Sequence, residues 1–392
     1  MRRSTFAVVV ILVSGAAVGV VQARPGRVSP AGLTGAGAQG EACTPASIVQ
    51  RPGAWKENPP DLAFAANVAP RARHAALLKR IAPMAAMFRD AYPEPRGTAA
   101  EGYASIRPYG DEIEGGPYRY GYDSLYKTWL CPKSTGRASL ADETGNWAHV
   151  HVNSLDRLLS EVGELEFDGG RHRVWMLAPA IGELRGQPLY RAWLGFGDGR
   201  ALLFTRRGRV PWAPVSRRQY LDGLARYWQQ QADEAAGRMD ELERNLAGQI
   251  EEIRKTMTGQ ARDTMVAELE RGLAQAREQK TQQQARLAAN LAGQLQTVSR
   301  YRAAHPGEMD RPAVLPEGLR RAFTGEFTDG TEDGRMLVVV DPSYFQSGLP
   351  PDEPQIVALL WRWEKESPAA VAWKTAFEQR FPLDKLEALL AR

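Results

Sequence analysis

The sequence predicts an α+β fold: a mostly antiparallel sheet with one packed N-terminal helix, a long antiparallel helical hairpin inserted into it, and a C-terminal helix. Three observations predict it. Strand patterns precede residue 215, residues 216–304 contain no proline and are rich in Ala, Gln, Glu and Arg, and strand patterns return afterwards. We therefore expect an α+β body formed by 43–215 and 305–392, with 216–304 as a coiled-coil insertion.

The composition is that of an ordinary folded protein. The 392 residues are 43% apolar and 24% charged, which excludes a collagen-like or wholly disordered chain. Loss of Arg2 and Arg3 with a cleaved N-terminal signal would lower the formal net charge from +4 to +2. Such a small charge does not indicate a nucleic-acid partner.

The N-terminus has the pattern of a secretory signal. Residues 1–3 are basic after the first Met, residues 6–13 form an apolar core, and 21–23 form a small-residue cleavage site. The sequence predicts that residues 1–23 are cleaved, with an uncleaved anchor as the alternative. Residues 24–42 are predicted to be a flexible leader, because they contain almost nothing to bury. We expect a periplasmic or secreted protein without a transmembrane segment in the mature chain.

Two cysteines occur in the chain, Cys43 and Cys131. In an exported protein an isolated pair is typical of a disulfide, so we predict that they are bonded to each other. Two separately buried thiols are the alternative.

The body begins with a helical pattern and continues with strands. Residues 69–92 carry apolar side chains at three- and four-residue spacing, and Pro83 is expected to kink or divide this helix. Strands are predicted at 147–153, 173–178, 189–196 and 201–206, with a hairpin turn at Asp198-Gly199. Later strands, expected to pair with the same sheet, are predicted at 336–340 and 356–363. Ser367-Pro368 then begins the C-terminal helix.

The hairpin has recognisable boundaries. Ser216 and Gln219 form a capping box at its start. Gly259 is expected to end the first arm, and Asp263 to cap the second. Arms of this length extend about 60 Å. Because their seams carry small and polar residues at mid-length, we expect the hairpin to project from the body; the alternative is that it lies flat on the sheet as ordinary core helices.

A His-x-His pair lies on the predicted strand 147–153. Alternation places His149 and His151 on the same face, side by side. Zinc and copper commonly use such a pair, but a metal site needs a third protein ligand. Asp142 and Glu143 are near enough in sequence to supply it. A partly exposed structural pair is the alternative.

Aromatic residues cluster before this strand. Tyr118, Tyr120 and Tyr122 alternate, so on a strand they share one face, and Trp147 follows. Their flat apolar faces with polar edges can stack against sugar rings or a peptide, which makes all four candidate ligand-binding residues. The alternative is that the tyrosines belong to the core or to the sheet surface.

Two segments carry a resemblance. Glu143–Trp147 and Leu203–Leu221 resemble stretches of uncharacterised exported bacterial proteins, and the likeness covers roughly residues 43–230. The resemblance implies export and an α+β body. It transfers no catalytic residue.

Together these patterns predict a non-enzymatic periplasmic or secreted interaction protein that needs no cofactor. Its partner through the hairpin would be a protein, a cell-envelope component or a second copy of the chain. The sequence contains no P-loop and no H-E-x-x-H motif. The alternative function is an envelope hydrolase or metalloenzyme centred on His149 and His151.

Overall fold

The computed structural model describes residues 43–108, 116–132, 136–192, 199–316, 318–328, 334–345 and 348–390. These residues belong to a single compact unit, Cys43–Arg392, so the hairpin and the body are not divided into separate units. The predicted signal and leader lie outside the described residues, as does Asp198 of the predicted turn. Among the helices described, none is both long enough and apolar enough to cross a membrane.

Helices and strands alternate in blocks along the chain. The helices are α1 (Pro45–Gln50), α2 (His74–Ala91), α3 (Arg217–Thr256), α4 (Gln260–Ala304), α5 (Pro368–Arg380) and α6 (Leu383–Glu387). The strands are β1 (Trp55–Glu57), β2 (Thr98–Ser105), β3 (Tyr120–Leu130), β4 (Ser139–Leu140), β5 (Trp147–Val152), β6 (Leu159–Phe167), β7 (Gly170–Leu177), β8 (Ala180–Leu184), β9 (Gln187–Ala192), β10 (Gly199–Thr205), β11 (Trp212–Pro214), β12 (Val314–Pro316), β13 (Gly334–Val340) and β14 (Ile356–Arg362).

The first sheet has the strand order β1-β2-β3-β5-β14-β10-β9-β8, with β4 added to β3. Its strands pair antiparallel except β1, which runs parallel to β2. Strand β14 follows the hairpin in sequence but lies between β5 and β10, which precede it. The hairpin is therefore an insertion into one continuous fold, as predicted.

The second sheet has the order β11-β13-β7-β6, with β12 on the other part of β13. From the sequence, β13 and β14 were expected in one sheet with the earlier strands. Both do pair with earlier strands, but β13 pairs with β7 and β14 with β5 and β10. The two sheets pack against each other through apolar side chains such as Val338 and Leu360.

Three apolar cores separate four layers. The first core lies between helices α2, α5 and α6 and the first sheet; it includes Phe88, Tyr122, Trp361 and Trp373. The second core lies between the two sheets and includes Trp175, Val338 and Leu360. The third core lies between the second sheet and the start of the hairpin. Its hairpin members are Tyr220, Leu221, Leu224, Trp228, Val298 and Tyr301.

Helix α2 continues through Pro83, so the proline does not divide it, and the kink expected there stays a prediction. Proline removes one backbone hydrogen bond, but Ile81 and Met84 on either side of it are fully buried, and their burial offsets the loss.

The C-terminal helix begins where predicted, since the Ser367 side chain accepts a hydrogen bond from the Ala370 amide.

The predicted disulfide is confirmed. Cys43 and Cys131 are bonded, with their Cα atoms 5.6 Å apart. Cys43 precedes α1, whose Thr44 cap accepts from the Ser47 amide, and Cys131 follows the end of β3. The bond therefore joins the first described residues of the chain to a central strand of the first sheet.

The hairpin helices begin and end close to the predicted positions. Ser216 and Gln219 form the capping box of α3. The connection is short, and Gly259 adopts φ +80, a conformation that favours glycine. The prediction that Asp263 caps α4 was wrong: α4 begins at Gln260, so Asp263 lies in its first turn, where its negative charge favours the helix dipole.

Candidate functional site

A buried polar cluster lies on the second-core face of the first sheet. Asp123 of β3 is directly opposite His149 of β5, and Gly121 is opposite His151. On the other side of β3, Tyr103 is opposite Asp123 and Ser105 is opposite Gly121. Because residues two apart share a face, three adjacent strands bring their polar side chains to the same place.

Asp123 is the centre of this cluster. Its Oδ1 lies 2.5 Å from His149 Nδ1 and 3.5 Å from His151 Nε2. Ser105 Oγ donates to Oδ2 over 2.7 Å, and the Arg107 guanidinium donates to the same oxygen. Each carboxylate oxygen is thus engaged by two neighbours, the imidazoles on one side and Ser105 with Arg107 on the other.

Burial and charge together set the protonation of the cluster. Burial raises the pKa of Asp123, but the charge of His149, the hydrogen bonds of both imidazoles and the charge of Arg107 outweigh burial and hold that pKa well below its usual value. Desolvation, with a contribution from the charge of His149, lowers the pKa of His151 although Asp123 raises it. The carboxylate is therefore ionised and His151 is neutral near pH 7.

The backbone makes room for the imidazoles at Gly121. A Cβ atom there would lie 2.2 Å from the Val150 carbonyl oxygen and 3.2 Å from His151 Cδ2. Any other residue would push β3 away from β5 or displace the His151 ring. On the exposed side, the Trp147 ring lies 4.3 Å from the His149 ring and restricts its orientation.

The carboxylate beside the two histidines is not one of the two that the sequence suggested as a third metal ligand. Asp142 and Glu143 precede β5, but the carboxylate beside both imidazoles belongs to Asp123 of the neighbouring strand. Asp123 was not among the predicted ligands, because its position opposite His149 depends on how β3 and β5 pair. The sequence did contain one indication of it: Asp123 is an acidic residue on the face of β3 opposite to that of Tyr122.

The predicted aromatic ligand site separates into two parts. Tyr120 and Tyr122 are completely buried in the first core, as in the alternative that the sequence left open, and half-buried Tyr118 packs against the same core. The Tyr120 hydroxyl donates to the Asp352 carbonyl oxygen, and the Tyr122 hydroxyl to Glu57. Burial raises the pKa of both hydroxyls.

The structure thus corrects the prediction that Tyr120 and Tyr122 present a stacking surface, because their rings contribute to the packing of the core. Trp147 lies on the opposite face of the sheet, beside His149. It is the one predicted aromatic residue that adjoins the polar cluster.

The hairpin is a second candidate region. Between Gln229 and Thr297, all of which the structure describes, the buried residues are Ile250 and Leu273. Ion pairs join the two helices along their length and set their register. The pairs are Asp222 with Arg302, Asp240 with Lys280, Glu243 with Arg277 and Lys280, and Arg254 with Glu270. By this register Ile250 lies opposite Leu273, so the distal arms are held mainly by each other.

A groove of about 1360 Å³ adjoins the start of the hairpin. One side is lined by Arg226, Tyr227 and Gln230 of α3, and another by charged residues of β6 and β7. The strand charges are paired: Arg171 with Glu164 and Glu166, and Arg173 with Glu161. The groove continues the exposed surface of the arms onto the body.

Comparisons with known proteins found none similar to this chain. No family model matches it, and neither a curated protein nor a solved structure gives a match.

Proposed function

We propose that this is an exported interaction protein that presents the distal part of helices α3 and α4 to a protein partner in the cell envelope. The observation that carries the proposal is the exposure of residues 229–297, a long paired structure that adds almost nothing to the three cores of the body. A structure that is not needed to bury the core is available for contact.

The surface of the arms favours a protein over a lipid bilayer. A helix that lies in a membrane interface needs a broad apolar face. Among the large apolar residues of the distal arms, Leu242 and Met265 are the exposed ones, and they lie on different arms. The remaining exposed surface mixes acidic and basic residues, which suits a polar protein surface or a third helix packed along the pair.

The attachment of the arms supports the same function. Arg217 is buried at the start of α3, where it donates to the Tyr301 hydroxyl and to Glu308. The Tyr220 hydroxyl donates to the carbonyl oxygens of Arg320 and Ala322. These contacts fix the direction in which both helices leave the body, so a partner meets a preorganised surface and loses less entropy on binding.

Export is consistent with the disulfide, because such bonds persist in the periplasm and outside the cell. Fractionation of cells and N-terminal sequencing of the recovered protein test this part. We expect the chain in the periplasm or the medium, beginning at Arg24. Recovery of full-length protein from the cytoplasm would contradict it.

Site-specific photo-crosslinking in the producing cells tests the interaction. A photoreactive amino acid is placed at the exposed positions Asn245 and Gln275 of the arms, and a matched control is placed at exposed Glu183 of β8. We expect one discrete adduct from both arm positions and none from the control. Mass spectrometry identifies the second chain of the adduct.

Three results would contradict this proposal. An adduct that also forms from Glu183, no adduct from either arm position, or an adduct that persists when Ile250→Asp separates the arms would each argue against the hairpin. Sedimentation of the purified protein identifies self-association, in which case the partner is a second copy of this chain.

A further inference from the structure

We propose that Asp123, His149 and His151 bind one divalent first-row transition-metal ion, for which zinc is the best match. Nothing in the proposed interaction requires such an ion, so this inference goes beyond it. It rests on three side chains from two neighbouring strands whose ligand atoms all lie within 4.8 Å of one another.

The donor set suits zinc. Zinc accepts imidazole nitrogen and carboxylate oxygen at about 2.0–2.2 Å, and tetrahedral bonds of that length place ligand atoms about 3.3–3.5 Å apart. The distance from His151 Nε2 to Asp123 Oδ1 is 3.5 Å, already in that range. His149 Nδ1 is 2.5 Å from the same oxygen, so binding requires this ring to move back by about 1 Å.

The surroundings hold the carboxylate in a ligating position. Ser105 and Arg107 donate to Oδ2, which leaves Oδ1 directed at the two imidazoles. Carboxylate ligands of metals are commonly oriented by such outer hydrogen bonds. The Trp147 ring beside His149 restricts that imidazole in the same way.

The metal is accessible from one side. Asp123 is fully buried, but the His149 side chain is 16% exposed and that of Arg107 is 31% exposed. Three protein ligands leave one position for a water molecule or an anion, as in zinc sites that are not purely structural. The positive charge of Arg107, which donates to Asp123, opposes binding of the metal.

Titration of the purified, chelator-treated full chain with Zn²⁺ against a competing chromophoric chelator tests the site. We expect one equivalent to bind with micromolar or tighter affinity. His149→Gln should weaken binding at least tenfold, while His305→Gln, an exposed residue outside the cluster, should leave it unchanged. Absence of binding, or equal affinity in the wild type and His149→Gln, would overturn the proposal.

Co²⁺ provides a readout that does not depend on a variant folding. In the wild-type protein we expect visible absorption of the intensity typical of four- or five-coordinate Co²⁺, removed by Zn²⁺. A weak spectrum typical of six-coordinate Co²⁺ would overturn the assignment of the three ligands.

Arg107→Gln keeps a donor to Asp123 while removing the charge, so affinity for Zn²⁺ should rise several-fold. A fall would show that Arg107 is required for binding and would contradict its assigned role.

Discussion

The start of the hairpin and its distal part belong to the same two helices but are stabilised differently. At the start, Leu221 and Leu224 are completely buried in the third core. In the distal part, Ile250 and Leu273 are buried against the opposite arm, and ion pairs and helix propensity supply the rest. Stability of the body and availability for contact are therefore separated along one helix.

The largest effect expected from this comparison comes from matched leucine substitutions in α3. Leu224→Ala removes a fully buried side chain and should lower the free energy of unfolding by about 2–5 kcal/mol. Leu246→Ala, at a half-buried position of the distal arm, should leave the main unfolding transition unchanged. Chemical denaturation followed by tryptophan fluorescence measures both. Equal losses would show that the distal arm is part of the body's cooperative unit.

A slightly smaller effect is expected from the disulfide, which acts on the body alone. Replacing Cys43 and Cys131 together by serine removes a cross-link between residues 88 apart in sequence. Unfolding should become easier by about 2–4 kcal/mol, because the denatured chain regains conformational freedom. Thermal unfolding with and without reductant provides the measurement. Wild-type protein in reductant should match the double variant, and disagreement between them would assign the loss to the serines.

The features that the sequence predicted correctly are those set by nearby residues, and those that it did not predict depend on long-range pairing. The hairpin was predictable because its determinants are local: the Ser216 capping box, the absence of proline and the glycine at 259 all act within a few residues. The second sheet was not, because β13 and β14 have similar apolar patterns and only long-range pairing assigns them to different sheets.

The polar cluster was predictable in part, because its histidines follow a local pattern while its carboxylate depends on long-range pairing. His149 and His151 were placed on one face from alternation alone, and the structure confirms that placement. Asp123 could not be placed beside them, because its position depends on a strand pairing that brings together residues more than 20 positions apart. Tyr120 and Tyr122 were grouped correctly on one face, but the sequence could not decide whether that face was covered by helices.

The stability of the body should depend on pH through the buried cluster, which has no counterpart in the arms. We expect this effect to be smaller than those of the leucine and cysteine substitutions. In metal-free protein, the folded state disfavours protonation of His151, so the unfolded chain binds more protons once pH falls below the unfolded histidine pKa of about 6.5. The ionised Asp123 adds a further loss at lower pH, where its folded-state pKa lies below the unfolded value. Stability should therefore be complete above about pH 6.5 and decline below it.

Denaturation at several pH values in the presence of chelator measures this decline. One proton contributes a slope of at most about 1.4 kcal/mol per pH unit. His151→Gln should remove the slope between about pH 6.5 and 5, while leaving the later loss due to carboxylates. A slope that persists in this variant would assign the acid sensitivity to other groups.

The smallest effect on the body is expected from shortening the hairpin. Deleting residues 233–289 and joining the ends through a short Gly-Asn turn keeps Trp228 and Leu291, which pack in or against the third core, and removes the exposed arms. The retained ends lie at matching levels of the two helices, as the ion pairs define them. We expect the melting temperature of the body to stay within a few degrees of the wild type, because no residue of the three cores is lost. The crosslinked partner should disappear from the shortened protein, while binding of Zn²⁺ at Asp123 remains. Loss of the cooperative melt would instead show that the distal arms stabilise the body.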